Sequence, residues 1–140
     1  MTRSDARAIV AALQSQPVFA QCGRRELQDL AEHAERSSVP AHWPLIHQQT
    51  PSDACYVILD GEASVTVGGE QVATITSGAV VGETGIAGHK LRNASVTSIT
   101  ALDLLHIDAD EFTDLVERRP ALAAALLSRT KDAAAATVDA

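Results

Sequence analysis

Between residues 45 and 107 no apolar pattern holds a helical period; short alternating runs are cut repeatedly by turn residues. Tyr56-Val57-Ile58-Leu59 precedes Asp60-Gly61, residues 63–67 alternate before Gly68-Gly69, and residues 71–76 alternate before Gly78. The Gly68-Gly69 pair suits a two-residue hairpin turn, which needs positive φ. Residues 95–100 and 102–107 read as two further strands. Evenly spaced short strands of this kind imply a closed or rolled sheet rather than a parallel α/β layer.

Helical spacing brackets this region. Ala6, Ile9, Val10 and Leu13 share one face, and Pro17 stops that helix. A second helix is expected over 26–35, with Leu27, Leu30, Ala31 and Ala34 on its apolar side, before Pro40 and Pro44 end helical character. After Asp108, Phe112, Leu115 and Val116 return to helical spacing; Arg118 and Arg119 read as a solvated helix end, where cations oppose the dipole. Pro120 suits a first helical position, opening a last helix that carries Leu122, Leu126 and Leu127. The expected architecture is mainly β with flanking α. It is an eight-stranded β-roll or jelly-roll barrel (a double-stranded β-helix) with N-terminal helices and two C-terminal helices. One domain over 1–136 is expected, with helices in 5–35, the roll in 37–107, C-terminal helices in 109–132 and a frayed alanine-rich tail at 133–140.

A chain of 140 residues makes one domain, and with 3% aromatics its core must come mainly from Val, Ile, Leu and Ala. Trp43, Tyr56, Phe19 and Phe112 are the aromatics. The formal charge of −7 argues against nucleic acid and against an anionic membrane face as partners. A local anion site is still allowed, because charges beyond roughly 8 Å are screened at physiological salt. Residues 1–16 mix charged and apolar side chains and do not read as a signal peptide, and no run approaches the ~20 apolar residues of a membrane span. Cys22 and Cys55 are expected to be reduced thiols, and the chain to be cytoplasmic.

The segment Val81-Gly82-Glu83-Thr84-Gly85-Ile86, followed by Arg92-Asn93-Ala94-Ser95-Val96, carries the most chemistry. A strand that stops at Gly82 and gives way to a helical turn presents N–H groups to an anion, and Gly82 and Gly85 permit close backbone approach. Arg92 can meet phosphate oxygens bidentately, with backbone N–H groups of Asn93 and Ala94 beside it. Glu83 would be repelled by a phosphate, so it suits sugar hydroxyls while pairing partly with Arg92. Spacing alone equally allows a plain turn at Gly82 and Gly85 with a surface ion pair between Glu83 and Arg92.

The segment resembles the phosphate-binding cassette of cyclic-nucleotide-binding domains, roughly Gly-Glu-Leu-Ala-Leu, an interval, then Pro-Arg-Ala-Ala-Thr-Val. The interval from Glu83 to Arg92 matches, and the likeness extends to Phe19 after Pro17, Ile46 with Gln49, Tyr56-Val57-Ile58-Leu59 before Gly61, and Phe112 with the Pro120 break. The resemblance implies a non-catalytic sensor that binds a cyclic nucleotide, cyclic AMP favoured over cyclic GMP, and repacks its C-terminal helices. It implies that Gly82 and Glu83 hold the ribose 2′-hydroxyl, that Arg92 with Asn93 and Ala94 holds the phosphate, and that Ile86 relays occupancy to the helices. Thr84, Leu91 and Asn93 depart from the pattern, as do His42 and Thr50, at two early turn positions where glycine is usual. The same likeness implies an effector protein or domain as partner, no cofactor besides the ligand, and a last helix that could join two subunits or place Arg129, Thr130 or Lys131 on the base.

Two other readings were weighed. A cupin-type metalloenzyme would use some of His33, His42, His47, His89 and His106, yet no His-x-His occurs, and the odd separation of His42 and His47 puts them on opposite faces of a regular strand. A degenerate fold that binds only protein would account for Thr84 and Asn93, although Glu83 and Arg92 favour a ligand. No Gly-x-Ser-x-Gly elbow is present, so neither a catalytic residue nor a metal ligand is expected.

Overall fold

Tyr56-Val57-Ile58-Leu59 is apolar throughout because its strand is covered on both faces. The computed structural model describes residues 3–82, 86, 92 and 94–127. In chain order these form α1 (Arg3–Gln14), a 3-10 turn (Pro17–Phe19), α2 (Arg24–Glu32), β1 (Glu35–Val39), β2 (Pro44–Ile46), β3 (Ala54–Asp60), β4 (Ala63–Val67) and β5 (Glu70–Ile75). There follow β6 (Val80–Val81), β7 (Ser95–Ser98), β8 (Leu102–Asp108), α3 (Ala109–Arg118) and α4 (Pro120–Leu126). The eight strands make two antiparallel sheets, ordered β1-β8-β3-β6 and β2-β7-β4-β5. This is the expected β-roll with flanking helices.

Period-two alternation sorts side chains into two cores. On β3, Cys55, Val57 and Leu59 face the helices, while Ile58, with Tyr56 beside it, faces the interior of the roll. On β8, Leu105 and Ile107 join the helix side and Leu102 and Leu104 the interior. The helix-side core also gathers Ile9 and Leu13 of α1, Phe19, Leu27 and Leu30 of α2, Phe112 and Leu115 of α3, and Leu122 and Leu126 of α4. The two phenylalanines are each 1% exposed there, whereas Trp43 lies at the surface. Each buried aliphatic side chain stabilises the fold by about 1.5–3 kcal/mol, so this apolar cluster is what holds the helices to the sheet.

Some boundaries differ from expectation. The second helix closes at Glu32 rather than continuing through 35: His33 takes non-helical dihedrals and its N–H donates to Leu30 O at 3.1 Å. Glu35 instead opens β1, a strand with four exposed residues and therefore no alternating apolar signal. The strand expected over 95–100 ends at Ser98, because the N–H groups of Ile99 and Thr100 both turn onto Glu62 O, at 2.8 and 3.2 Å. Pro120 does open α4, but Leu127 ends it as a partly exposed cap instead of a core residue. The positions expected to continue that helix to 132, and the tail at 133–140, lie outside the described residues.

Arg118 and Arg119 close α3 as expected, Arg118 being exposed, but they also carry a tertiary contact. Arg119 is extended (φ −126°, ψ 92°) as the link between α3 and α4, and both arginines reach Asp29 Oδ2 on α2, at 2.9 Å each. Cys22 and Cys55 are not joined in a disulfide; Cys22 Sγ lies 3.4 Å from Ala121 O, and burial, then the nearby Glu26 carboxylate, pushes its pKa up.

Two glycines separate packing from conformation. Gly61 has φ +109°, and a Cβ there would strike Ala101 O and come within 2.7 Å of Leu102 Cδ2; Gly68 has φ +59° with nothing within 4 Å. Gly61→Ala should therefore cost about 3 kcal/mol or more, and Gly68→Ala only about 1 kcal/mol, in urea unfolding. Equal losses at the two sites would contradict this packing.

Candidate functional site

Gly82 follows the two-residue β6 and has φ +90°, so the chain leaves the sheet in a conformation that glycine adopts without strain. A Cβ there would sit 2.5 Å from Arg92 Nη1 and 2.9 Å from Ala54 O. The missing side chain is thus the space through which Arg92 reaches the sheet. Arg92 Nη1 donates to Gly82 O at 2.8 Å and Nη2 donates to Ala54 O at the start of β3. The residue is 2% exposed. Asp53 Oδ1, on a largely exposed side chain, stands 3.7 Å from Nη2.

The Arg92 backbone is pinned from the opposite side. Its N–H donates to Thr50 O at 2.9 Å, and its carbonyl accepts from Gln49 N–H at 2.7 Å. The loop that makes these bonds turns at residues 47–50, with the Thr50 hydroxyl donating to His47 O at 2.6 Å. The left-handed residue of this turn is Gln49, φ +69°, and not Thr50. A β-branched side chain resists positive φ, and the Thr50 N–H and hydroxyl are both committed to His47 O, at 3.4 and 2.6 Å. His42, at a turn position where glycine is usual, is left-handed, φ +63°, with its N–H donating to Ser98 O at 2.9 Å. Each such non-glycine residue carries roughly 1–2 kcal/mol of strain.

Burying a cation in an apolar wall is costly unless dipoles or charges meet it. Here two carbonyl oxygens and the outlying Asp53 carboxylate do so. A guanidinium has five N–H donors, so anchoring through two carbonyls is compatible with meeting an anion as well. Beside it, Ala94 is fully buried in the roll interior and Ser95 Oγ accepts from Gln48 N–H at 2.9 Å, fixing the start of β7. Tyr56 packs edge-on to His106 with ring centroids 5.3 Å apart, and burial, then the Asp53 carboxylate, pushes its hydroxyl pKa up, so it stays neutral.

Of the residues singled out in the sequence, the structure brings Gly82 and Arg92 together and buries Ala94 in the roll interior. Glu83, Thr84, Gly85 and Asn93 lie outside the described residues, as do Leu91 and His89. Ile86 is buried in the helix-side core with Phe112, Leu115 and Leu122. Asp53 and Ala54 were not singled out in the sequence. Ala54 acts through its carbonyl, which leaves no side-chain signal, and Asp53 is one of many surface acids. Among the described residues no group of three His, Cys, Asp or Glu side chains is arranged to hold a metal ion.

The sequence model of the cyclic nucleotide-binding domain matches residues 36–119. The chain belongs to that family. An NTE family protein of Mycobacterium tuberculosis is 33% identical over 125 residues, covering 89% of this chain and 21% of the relative. A cAMP-dependent protein kinase regulatory subunit of Yarrowia lipolytica is 31% identical over 106 residues, covering 74% of this chain and 28% of the relative. The chain thus spans less than a third of either relative. Among solved structures, the second cyclic-nucleotide domain of a PKA regulatory protein bound to Sp-2Cl-cAMPS superposes with TM-score 0.77 at 17% identity, covering 98% of this chain and 94% of that one. The regulatory subunit of a cAMP-independent protein kinase A from Trypanosoma brucei superposes with TM-score 0.78 at 17% identity, covering 92% of this chain and 47% of that one. These likenesses show the fold. Among the described residues no helix is long and apolar enough to cross a membrane.

Gly82→Ala should displace the Arg92 guanidinium and lose about 2–4 kcal/mol of stability in chemical unfolding, strain and steric overlap acting together. Wild-type stability in that variant would mean that Arg92 does not depend on the space at Gly82.

Proposed function

We propose that this chain is a regulatory, non-catalytic module that binds a purine cyclic nucleotide inside the β-roll, cyclic AMP in preference to cyclic GMP. The observation that carries the reading is Arg92: a buried guanidinium held by the carbonyls of Gly82 and Ala54, at the position where the family resemblance puts the phosphate-binding arginine. Arg92 then takes the cyclic phosphate with the backbone N–H groups of Asn93 and Ala94, and Gly82 and Glu83 take the ribose 2′-hydroxyl. Thr84 and Gly85 complete the turn between them. Relatives and fold neighbours named for cAMP support the choice of ligand class.

Occupancy pulls the cassette inward, Ile86 moves with it, and α3 and α4 repack, since Ile86 shares one apolar cluster with both helices. The ligand shifts this balance only by its difference in affinity for the two arrangements. The output passes to an effector, either a further domain of a longer chain such as the NTE family relative or a separate cytoplasmic protein. The last helix offers a surface for a homodimer. A fold neighbour described as cAMP-independent favours testing a second reading, a roll that has kept its architecture but answers to another ligand or only to protein.

Calorimetric titration with cyclic AMP, cyclic GMP and 2′-deoxy cyclic AMP separates these readings. Saturable binding of cyclic AMP, weaker binding of the deoxy analogue and a loss of about 1.5–3 kcal/mol of binding for each charge-assisted bond removed in Arg92→Lys are expected. No saturable uptake of any cyclic purine nucleotide at millimolar concentration would leave the protein-only reading. An unchanged affinity in Arg92→Lys would remove the bidentate role from Arg92.

A further inference from the structure

Among the described residues Asp29 is the one buried acid, and it receives three partners from three places. Arg118 Nη1 on α3 and Arg119 Nε at the α3–α4 link both donate to Oδ2 at 2.9 Å, and His33 Nδ1 at the end of α2 lies 3.0 Å from Oδ1. His33 Nδ1 is also 2.8 Å from Asp29 O, and its Nε2 faces Glu111 Oε2 on α3 at 3.9 Å. Arg118 Nε is tied back along α3 to Asp114 Oδ2 at 2.9 Å. One carboxylate on α2 therefore meets the last residue of α3 and the linking residue just before Pro120 starts α4.

The surroundings of His33 are mostly negative. A cavity of about 240 Å³ beside it is lined by Glu32 of α2, Glu35 of β1, His106 and Asp108 of β8, and Glu111 of α3. His106 is occupied with its own neighbour, Nδ1 lying 3.7 Å from Asp108 Oδ1. Arg118 and Arg119 are the opposing cations. His33 also ends α2, where a positive charge complements the helix dipole.

We propose that Asp29, His33, Arg118 and Arg119 form a proton-tuned joint that fixes α2 to the α3–α4 link and sets how readily the C-terminal helices leave the roll. Protonated His33 bridges Asp29 and Glu111, two elements at once, and neutral His33 gives up the charge that favours both contacts. The hydrogen bond to Asp29 O is the chief cause that raises the His33 pKa above its ordinary 6.5, with the Asp29 and Glu111 charges adding to it against burial and Arg118. Its contribution is complete below 6.5 and is lost as pH rises through the raised value. Burial pushes the Asp29 pKa up, but the hydrogen bonds from Arg118 and Arg119 outweigh it and hold the carboxyl below its ordinary 3.8, so its contribution is lost only in strong acid. The joint is tightest between those two transitions. Its signalling consequence rests on the sensor reading above; its existence does not, and it is tested without ligand.

Amide exchange of the ligand-free chain, expressed as protection factors, reads opening of α4 through the N–H groups of Ala123 and Leu127. Wild type should lose protection severalfold there between about pH 5.5 and about pH 8.5. His33→Gln keeps a donor to Asp29 O but does not titrate, so its protection should be flat over the same range. Asp29→Asn should be less protected throughout, while amides of β3 and β8 keep wild-type protection. If Asp29→Asn fails to fold, Glu111→Gln replaces it, and there the pH slope should shrink with the fold intact. Parallel profiles for wild type and His33→Gln, or unchanged α4 protection in Asp29→Asn or its replacement, would overturn the joint.

Discussion

The double burial of β3 and β8 is the constraint on which this molecule turns. Their even and odd side chains enter different cores, so the same two strands line the roll and carry the helices. A shift of register by one residue would exchange the two sets, placing Cys55, Val57 and Leu59 inside the roll and Tyr56 and Ile58 under the helices. The candidate site inherits that constraint. Ala54 O, which anchors Arg92, opens β3, and Gly82 follows β6, the strand hydrogen-bonded to β3. Arg92 is thereby tied to the same sheet that carries the helices.

Backbone carbonyls take part in holding the arginine, Gly82 O and Ala54 O both accepting from its guanidinium. Carbonyl dipoles stabilise a guanidinium without supplying a full opposing charge, and Asp53 stands off at 3.7 Å on an exposed side chain where solvent weakens its field. A buried cation thus sits in a chain of net charge −7, and screening confines each charge to its neighbourhood. The Asp29 cluster is the mirror case, a carboxylate surrounded by cations on the helix side of the same sheet. One cluster sits where β6 leaves the roll and the other where α2 meets the α3–α4 link.

Much of this was legible in the residues. The strands from β3 to β5 announce themselves through alternation and through Gly68-Gly69, and Pro17 and Pro120 mark helix boundaries by chemistry that does not depend on context. β1 was silent because it shows four of its five side chains to solvent, and its place is decided by pairing with β8. Gln49, not Thr50, became the strained residue of its turn because hydrogen bonds to Arg92 and His47 choose the register of that loop. Arg118-Arg119 looked like an ordinary helix end because nothing in a linear pattern connects it with Asp29, far away in sequence.

What the order of amino acids determined alone was whatever depends on neighbours along the chain: turns at glycine pairs, starts and stops at proline, alternation on strands, and the likeness of residues 82–94 to a phosphate-binding segment. What only the folded chain decided was which distant groups share a dipole or a charge. The carbonyl of Ala54 became a ligand for Arg92, and a carboxylate on α2 became the meeting point of Arg118 and Arg119. Electrostatic contacts fall off with distance through space and are blind to distance along the chain, so packing had to come first.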